Sequence, residues 1–128
     1  MHLGYIIIYV ADIPITISFY EKAFRLKLRF LHESNQYAEM ETGQTTLAFV
    51  NESFAMNSHQ FRPNRPKELS AGAEIAFVVA NVEEQFKQAV DAGAIEVVKP
   101  APKPWGQIVS YVRDNNGFLV EICNPING

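Results

Sequence analysis

The sequence predicts an α+β fold of two β-α-β-β-β modules whose curved mixed sheets surround a shared cavity. Three observations carry this. An apolar strand-to-helix passage occurs twice, three strand-like runs follow each copy, and the last runs of the two copies match. Tyr5-Ile6-Ile7-Ile8-Tyr9-Val10-Ala11-Asp12-Ile13 has its counterpart in Glu74-Ile75-Ala76-Phe77-Val78-Val79-Ala80-Asn81-Val82. Both are β-branched apolar runs ending in Val-Ala-(Asp/Asn)-(Ile/Val), and an internal repeat of this kind sets the architecture.

After each run the apolar period changes from that of a strand to that of a helix. Ile13, Ile17, Tyr20 and Phe24 recur at helical spacing in the first copy, and Val82, Phe86, Ala89 and Val90 in the second. Asp12 and Asn81 are suited to N-capping, because a short side-chain oxygen accepts from an orphan backbone N–H. Pro14 fits the first turn, where it has no N–H to lose. Glu83 and Glu84 complement the positive helix end, with Glu84 placed for a capping box. Gly93 is expected to stop the second helix in a left-handed conformation, whereas the first has only Arg25 near the matching place.

The strand-like runs are Leu26–Leu31, Gln36–Glu41 and Thr45–Val50 in the first module, with Thr42-Gly43-Gln44 as a turn. In the second they are Ile95–Val98, Gln107–Arg113 and Phe118–Cys123, with Asp114-Asn115-Asn116-Gly117 as a turn supplying the positive φ a tight hairpin needs. Leu47-Ala48-Phe49-Val50-Asn51 then stands opposite Val120-Glu121-Ile122-Cys123-Asn124. One domain results, with modules at 1–51 and 73–128. The connection at 52–72 is longer than usual and reads as a crossover or a lid, with Phe54, Met56 and Phe61 to seat it on an apolar surface.

A chain of 128 residues is long enough for one domain with a real core. A formal net charge of −3 and scattered basic residues argue against nucleic-acid binding. The apolar run from Tyr5 to Val10 is too short to span a bilayer and lacks the features of a secretion signal, so no membrane association is expected. A lone Cys123 forms no internal disulfide and fits a reducing, cytoplasmic compartment.

Strand alternation then sorts the side chains. Ile6, Ile8 and Val10, with Ile75, Phe77 and Val79, form apolar sets for the helices. Tyr5, Ile7 and Tyr9, with Glu74, Ala76 and Val78, point the other way, as do Leu119, Glu121 and Cys123. Glu74 and Glu121 thus fall on one helix-free face. In a cleft, two carboxylates could bind a metal, bind a cationic ligand or share a proton for acid–base work; on an open sheet they are solvated strand residues. Tyr5, Tyr9, Trp105 and Tyr111 could line such a cleft for a planar ligand, or fill the core or an interface. Cys123 reads as a small buried hydrophobe rather than an activated thiolate.

Asp12-Ile13, Ser18-Phe19-Tyr20-Glu21-Lys22, Pro104-Trp105-Gly106-Gln107 and Arg113-Asp114-Asn115-Asn116-Gly117-Phe118-Leu119-Val120-Glu121 together resemble the signatures of the vicinal-oxygen-chelate superfamily, which groups glyoxalases, bleomycin-resistance proteins and dioxygenases. The likeness covers nearly the whole chain. It implies paired modules around a cavity, a homodimer and, in the metal enzymes, four ligand positions that fall on Tyr5, Ala48, Glu74 and Glu121. Only Glu121 matches the glyoxalase I ligand pattern: Tyr5 and Glu74 stand where His is usual, and Ala48 has no donor atom. His2, His32 and His59 lie elsewhere, His59 on the connecting loop.

No metal or other cofactor is therefore expected. An ion held by Glu74, Glu121 and Tyr5 would have oxygen ligands alone, suited to a hard divalent cation. Three functions follow from the resemblance and the residues. The first is a small-molecule binder similar to the bleomycin-resistance proteins, sequestering a planar or cationic ligand at Tyr5, Ile7, Tyr9, Ala48, Glu74, Trp105, Tyr111 and Glu121. The second is a lyase, isomerase or dioxygenase relative with Glu74 and Glu121 as the catalytic pair. The third is a vestigial cavity with a role in association.

Overall fold

The computed structural model describes residues 1–126; residues 127 and 128, which end the expected second module, lie outside the described residues. The first module runs β1 (Tyr5–Val10), α1 (Ile13–Phe24), β2 (Lys27–Leu31), β3 (Tyr37–Glu41) and β4 (Thr46–Asn51). A one-turn helix α2 (Glu52–Ala55) opens the connection. The second module repeats the order as β5 (Glu74–Val78), α3 (Val82–Asp91), β6 (Ile95–Pro102), β7 (Ile108–Arg113) and β8 (Leu119–Cys123).

Each module folds into a four-stranded sheet, ordered β1-β4-β3-β2 (sheet A) and β5-β8-β7-β6 (sheet B). The first and last strands of a module pair in parallel, as a crossover through a helix requires, and the other pairs are antiparallel. Register aligns the two halves: Tyr5 faces Thr46 and Ile7 faces Ala48, while Glu74 faces Leu119 and Ala76 faces Glu121. The predicted repeat is therefore a repeat of hydrogen-bonding pattern as well as of sequence.

The helix signals act as their chemistry dictates. The Asp12 carboxylate accepts from the Ile15 N–H at 2.9 Å and the Asn81 carbonyl oxygen from the Glu84 N–H at 3.1 Å. The capping-box reciprocity is partial, since Glu84 accepts from the Asn81 side-chain amide rather than its backbone. Arg25 ends α1 in the left-handed region at φ 56°, and Gly93 follows α3 at φ 107°. The weaker stop signal thus gives the same geometry as the glycine. β6 extends to Pro102, beyond the expected Val98. Pro100 and Pro102 are tolerated there because β6 is the outer strand of sheet B.

Apolar residues on one face of each sheet pack on the helices. Tyr20, Phe49, Ile13, Met40, Val112, Val120 and Ile122 are fully buried. Burying one such aromatic or aliphatic side chain contributes roughly 1.5–3 kcal/mol. The sheets join through α1 against α3 rather than strand on strand. Phe24 of α1 stacks on Phe77 of β5 with ring centroids 4.8 Å apart. Gln85 and Gln88 of α3 donate to the carbonyls of Ala23 and Lys22 at the end of α1.

A polar joint completes this contact. The Tyr20 hydroxyl donates to the buried Asp114 carboxylate at 2.6 Å, and the Asn116 amide donates to the Thr16 hydroxyl at 3.2 Å. Asp114 also accepts from the backbone N–H groups of Asn116 and Phe118, which folds the Asp114–Gly117 turn. Burial raises the Asp114 carboxyl above the usual carboxylate range, and these donors oppose the rise. No helix among the described residues is long and apolar enough to cross a membrane.

Candidate functional site

Because the helices cover one face of each sheet, the other two faces are free. Tyr5 and Ile7 on sheet A are 55% and 49% exposed, and Val78 on sheet B is 61% exposed. Cross-strand partners share a face, so register assigns every residue. Sheet A presents Tyr5, Ile7, Tyr9, Thr46, Ala48, Val50, Tyr37 and Glu39; sheet B presents Glu74, Ala76, Val78, Leu119, Glu121, Cys123, Tyr111 and Arg113.

On sheet B three of the sequence-predicted residues come together. Tyr111, directly across from Glu121, donates its hydroxyl to that carboxylate at 3.0 Å. Glu74 and Glu121 are diagonal neighbours on adjacent strands of this face, since Glu74 faces Leu119 and Ala76 faces Glu121. Partial burial raises the Glu74 carboxyl above its ordinary range, and the neighbouring Glu121 charge and the contact between the two add to the rise. The same surroundings push the Tyr111 hydroxyl up to about 12, burial first and then its bond to Glu121. Among the described residues no lysine or arginine pairs with either carboxylate. A pocket of about 270 Å³ opens beside Glu74, lined by Ala71, Gly72, Ala73 and Leu119.

Cys123 completes this face as a buried thiol pushed up to about 11, chiefly by burial and then by its contact with Glu121. A protonated thiol of that kind is a poor nucleophile. Trp105 stands apart: it is 57% exposed on the turn between β6 and β7 and reaches the face only through Gln107, whose carbonyl accepts from its indole N–H at 2.9 Å.

Sheet A is built differently. Ala48, at the position matching Glu121, is fully buried and offers no donor. Its cross-strand neighbour Glu39 supplies a carboxylate instead, accepting from the Tyr37 hydroxyl at 2.6 Å. Arg29 lies 3.6 Å from Glu39 and 3.9 Å from Glu41, so this carboxylate is neutralised. Burial and the bond to Glu39 raise the Tyr37 hydroxyl, with Tyr5 adding to the effect. Sequence reading singled out neither Tyr37 nor Glu39. The signal was present in Tyr37-Ala38-Glu39-Met40-Glu41, where polar and apolar residues alternate with a period of two.

Tyr9, at the far end of β1, meets the connecting strap. Its hydroxyl bonds the His59 ring at 2.9 Å, and its ring stacks on Phe61 at 4.4 Å between centroids. His59 is an exposed residue of the connecting loop, and this contact makes it an anchor of the strap. Tyr5, Ala48, Glu74 and Glu121 are split between two sheets that do not pack strand on strand. Among the described residues no three His, Cys, Asp or Glu side chains converge on one point. With Ala48 lacking a donor and Tyr5 and Glu74 on different sheets, the residues present do not fit the superfamily's metal.

The family model described as Glyoxalase-like domain matches residues 3–127. The chain is similar in structure to a glyoxalase-related enzyme from Fulvimarina pelagi, with a TM-score of 0.83 and 19% identity over 98% of this chain and 88% of that one. A glyoxalase/bleomycin resistance protein/dioxygenase family enzyme from Burkholderia phytofirmans PsJN gives 0.79 and 22% over 97% and 98%. TioX from Micromonospora sp. ML1 gives 0.72 and 20% over 97% and 98%. At these identities the structures attest the shared fold. No curated protein matches the chain.

Proposed function

We propose, from the premise that this chain belongs to the Glyoxalase-like domain family, that it is a small-molecule-binding protein holding a planar or cationic ligand without the superfamily's metal. One observation carries the reading: Glu74 and Glu121 are diagonal neighbours on the free face of sheet B with no counter-cation among the described residues. An uncompensated carboxylate pair attracts a cation, and Tyr111 fixes one of its oxygens while offering an aromatic ring. Loss of a donor at Ala48 costs a metal enzyme its chemistry but costs a binder little. The half-exposed Tyr5, Ile7 and Val78 favour closure of the ligand cavity in a homodimer.

A second reading has its own support. The raised Glu74 carboxyl beside Glu121 is the arrangement a general acid and its partner base require, and would suit a lyase, isomerase or dioxygenase relative.

Titration calorimetry with proflavine, a planar monocation, and coumarin, a planar neutral molecule, tests the first. Proflavine is expected to bind more tightly, and Glu121→Gln to weaken it by about tenfold, or about 1.4 kcal/mol. Because the Glu74 carboxyl is raised, its charged form grows as pH rises through that raised range. Proflavine affinity should therefore climb there, and lose that dependence in Glu74→Gln. Stoichiometric Zn, Ni, Fe or Mn in the dialysed protein, lost in Glu121→Gln, would overturn the binder in favour of the enzyme.

A further inference from the structure

We infer that Arg113 is a two-position residue: it latches the strap 52–73 onto the 114–117 turn and, while engaged there, keeps its charge away from Glu74 and Glu121. Arg113 lies across from Leu119, and Leu119 across from Glu74, so the three form one row over β7, β8 and β5. It is two residues from Tyr111 and therefore shares the free face. Glu121 is its diagonal neighbour at about 7–8 Å and Glu74 lies two strand spacings away at about 10 Å, both within the combined reach of an arginine and a glutamate side chain.

The guanidinium goes elsewhere. Its Nε donates to the Gly117 carbonyl at 2.7 Å, and its Nη1 to that of Pro66 at 3.2 Å. Its Nη2 donates to the carbonyls of Arg65 at 3.1 Å and Glu68 at 2.6 Å. Every nitrogen is spent on backbone carbonyls, although a carboxylate is the stronger acceptor. The strap is held in place for this by a bidentate pair in which Arg65 donates to Glu52 at 3.0 and 2.7 Å.

The turn is shaped for the latch as well. A Cβ added to Gly117 would stand 2.6 Å from the Arg65 carbonyl oxygen and 2.8 Å from Arg113 Nη2. Glycine is thus required by the contact as well as by its φ of 89°. When the strap lifts, three of the four acceptors leave, and the freed fork is left on the face that holds Glu74 and Glu121. A closed strap leaves the carboxylate pair without a counter-cation; an open strap lets Arg113 supply one. The latch rests on its own contacts, and only its effect on a ligand rests on the binding function proposed above.

Glu52→Gln, Arg113→Gln and the double variant test it. Hydrogen exchange of the amides of 65–72 should quicken in all three. The Glu74 titration midpoint, followed by carboxyl carbon-13 NMR, should fall by about one pH unit in Glu52→Gln, where a cation arrives, and return in the double variant. Proflavine should lose affinity in Glu52→Gln and regain it in the double variant. Unchanged strap exchange in either single variant overturns the latch. So does quickened exchange in Glu52→Gln with no movement of the Glu74 midpoint. If proflavine fails to bind the wild type, the cationic-ligand reading falls, while exchange and titration still judge the latch.

Discussion

On sheet A the Tyr37 hydroxyl donates to Glu39 while Arg29 lies against the same carboxylate; on sheet B Tyr111 donates to Glu121 while a second carboxylate, Glu74, lies alongside. Both faces use a tyrosine–glutamate bond, made along β3 on sheet A and across β7 and β8 on sheet B, yet one is neutralised and the other is left with excess negative charge. Moving the carboxylate by one strand, from β4 to β3, brings it beside an arginine on β2. Electrostatic character therefore follows from which strand carries the charge, with the backbone held constant.

Making the faces alike should be most disruptive where burial is complete. Ala48→Glu would restore a carboxylate to the position matching Glu121, but at a fully buried site next to Glu39. A loss of about 3 kcal/mol or more is expected in urea unfolding, because the new charge has no free partner. Stability like that of the wild type would mean that sheet A tolerates what sheet B carries. Tyr20→Phe attacks what the halves share. Removing the donor to buried Asp114 should cost about 1–3 kcal/mol in thermal unfolding, and a loss below about 0.5 kcal/mol would show that the joint is not where they depend on each other.

The smallest stability effect is expected at the salt bridge that sets the faces apart. The Arg29 side chain is half exposed, so Arg29→Ala should cost less than about 1 kcal/mol. Unmasked, Glu39 and Glu41 should then give proflavine a second, weaker binding equivalent by calorimetry. If the stoichiometry does not change, Arg29 is not what silences sheet A.

The repeat, both helices with their caps, the turns at Gly43 and Gly117 and the helix-facing side of each strand were legible because they depend on local period and on residues with one conformational use. Alternation alone put Glu74 and Glu121 on one helix-free face, while their closeness depends on the β5–β8 register. Glu39 was not legible, because it lies outside the positions matched between the halves and its role exists only across the β3–β4 register. The strap was legible only as a long connection. Its anchors at Tyr9, Glu52 and Arg113 are contacts between residues far apart in sequence, which no local pattern encodes.

The Tyr20–Asp114 bond spans 94 positions and joins two residues of the family-like segments. Those segments hold the halves together, so likeness in them tracks the architecture and is blind to the chemistry on the free faces. The same bond bears on how the chain folds. Contacts at such separation close late, after a large loop entropy has been overcome. Each half must therefore carry Tyr20 and Phe24, or Phe77 and Asp114, without their cross-module partners until the other arrives. Two modules that look autonomous in sequence are thus a single cooperative unit, and a chain cut within the strap would leave aromatic surface exposed on both fragments.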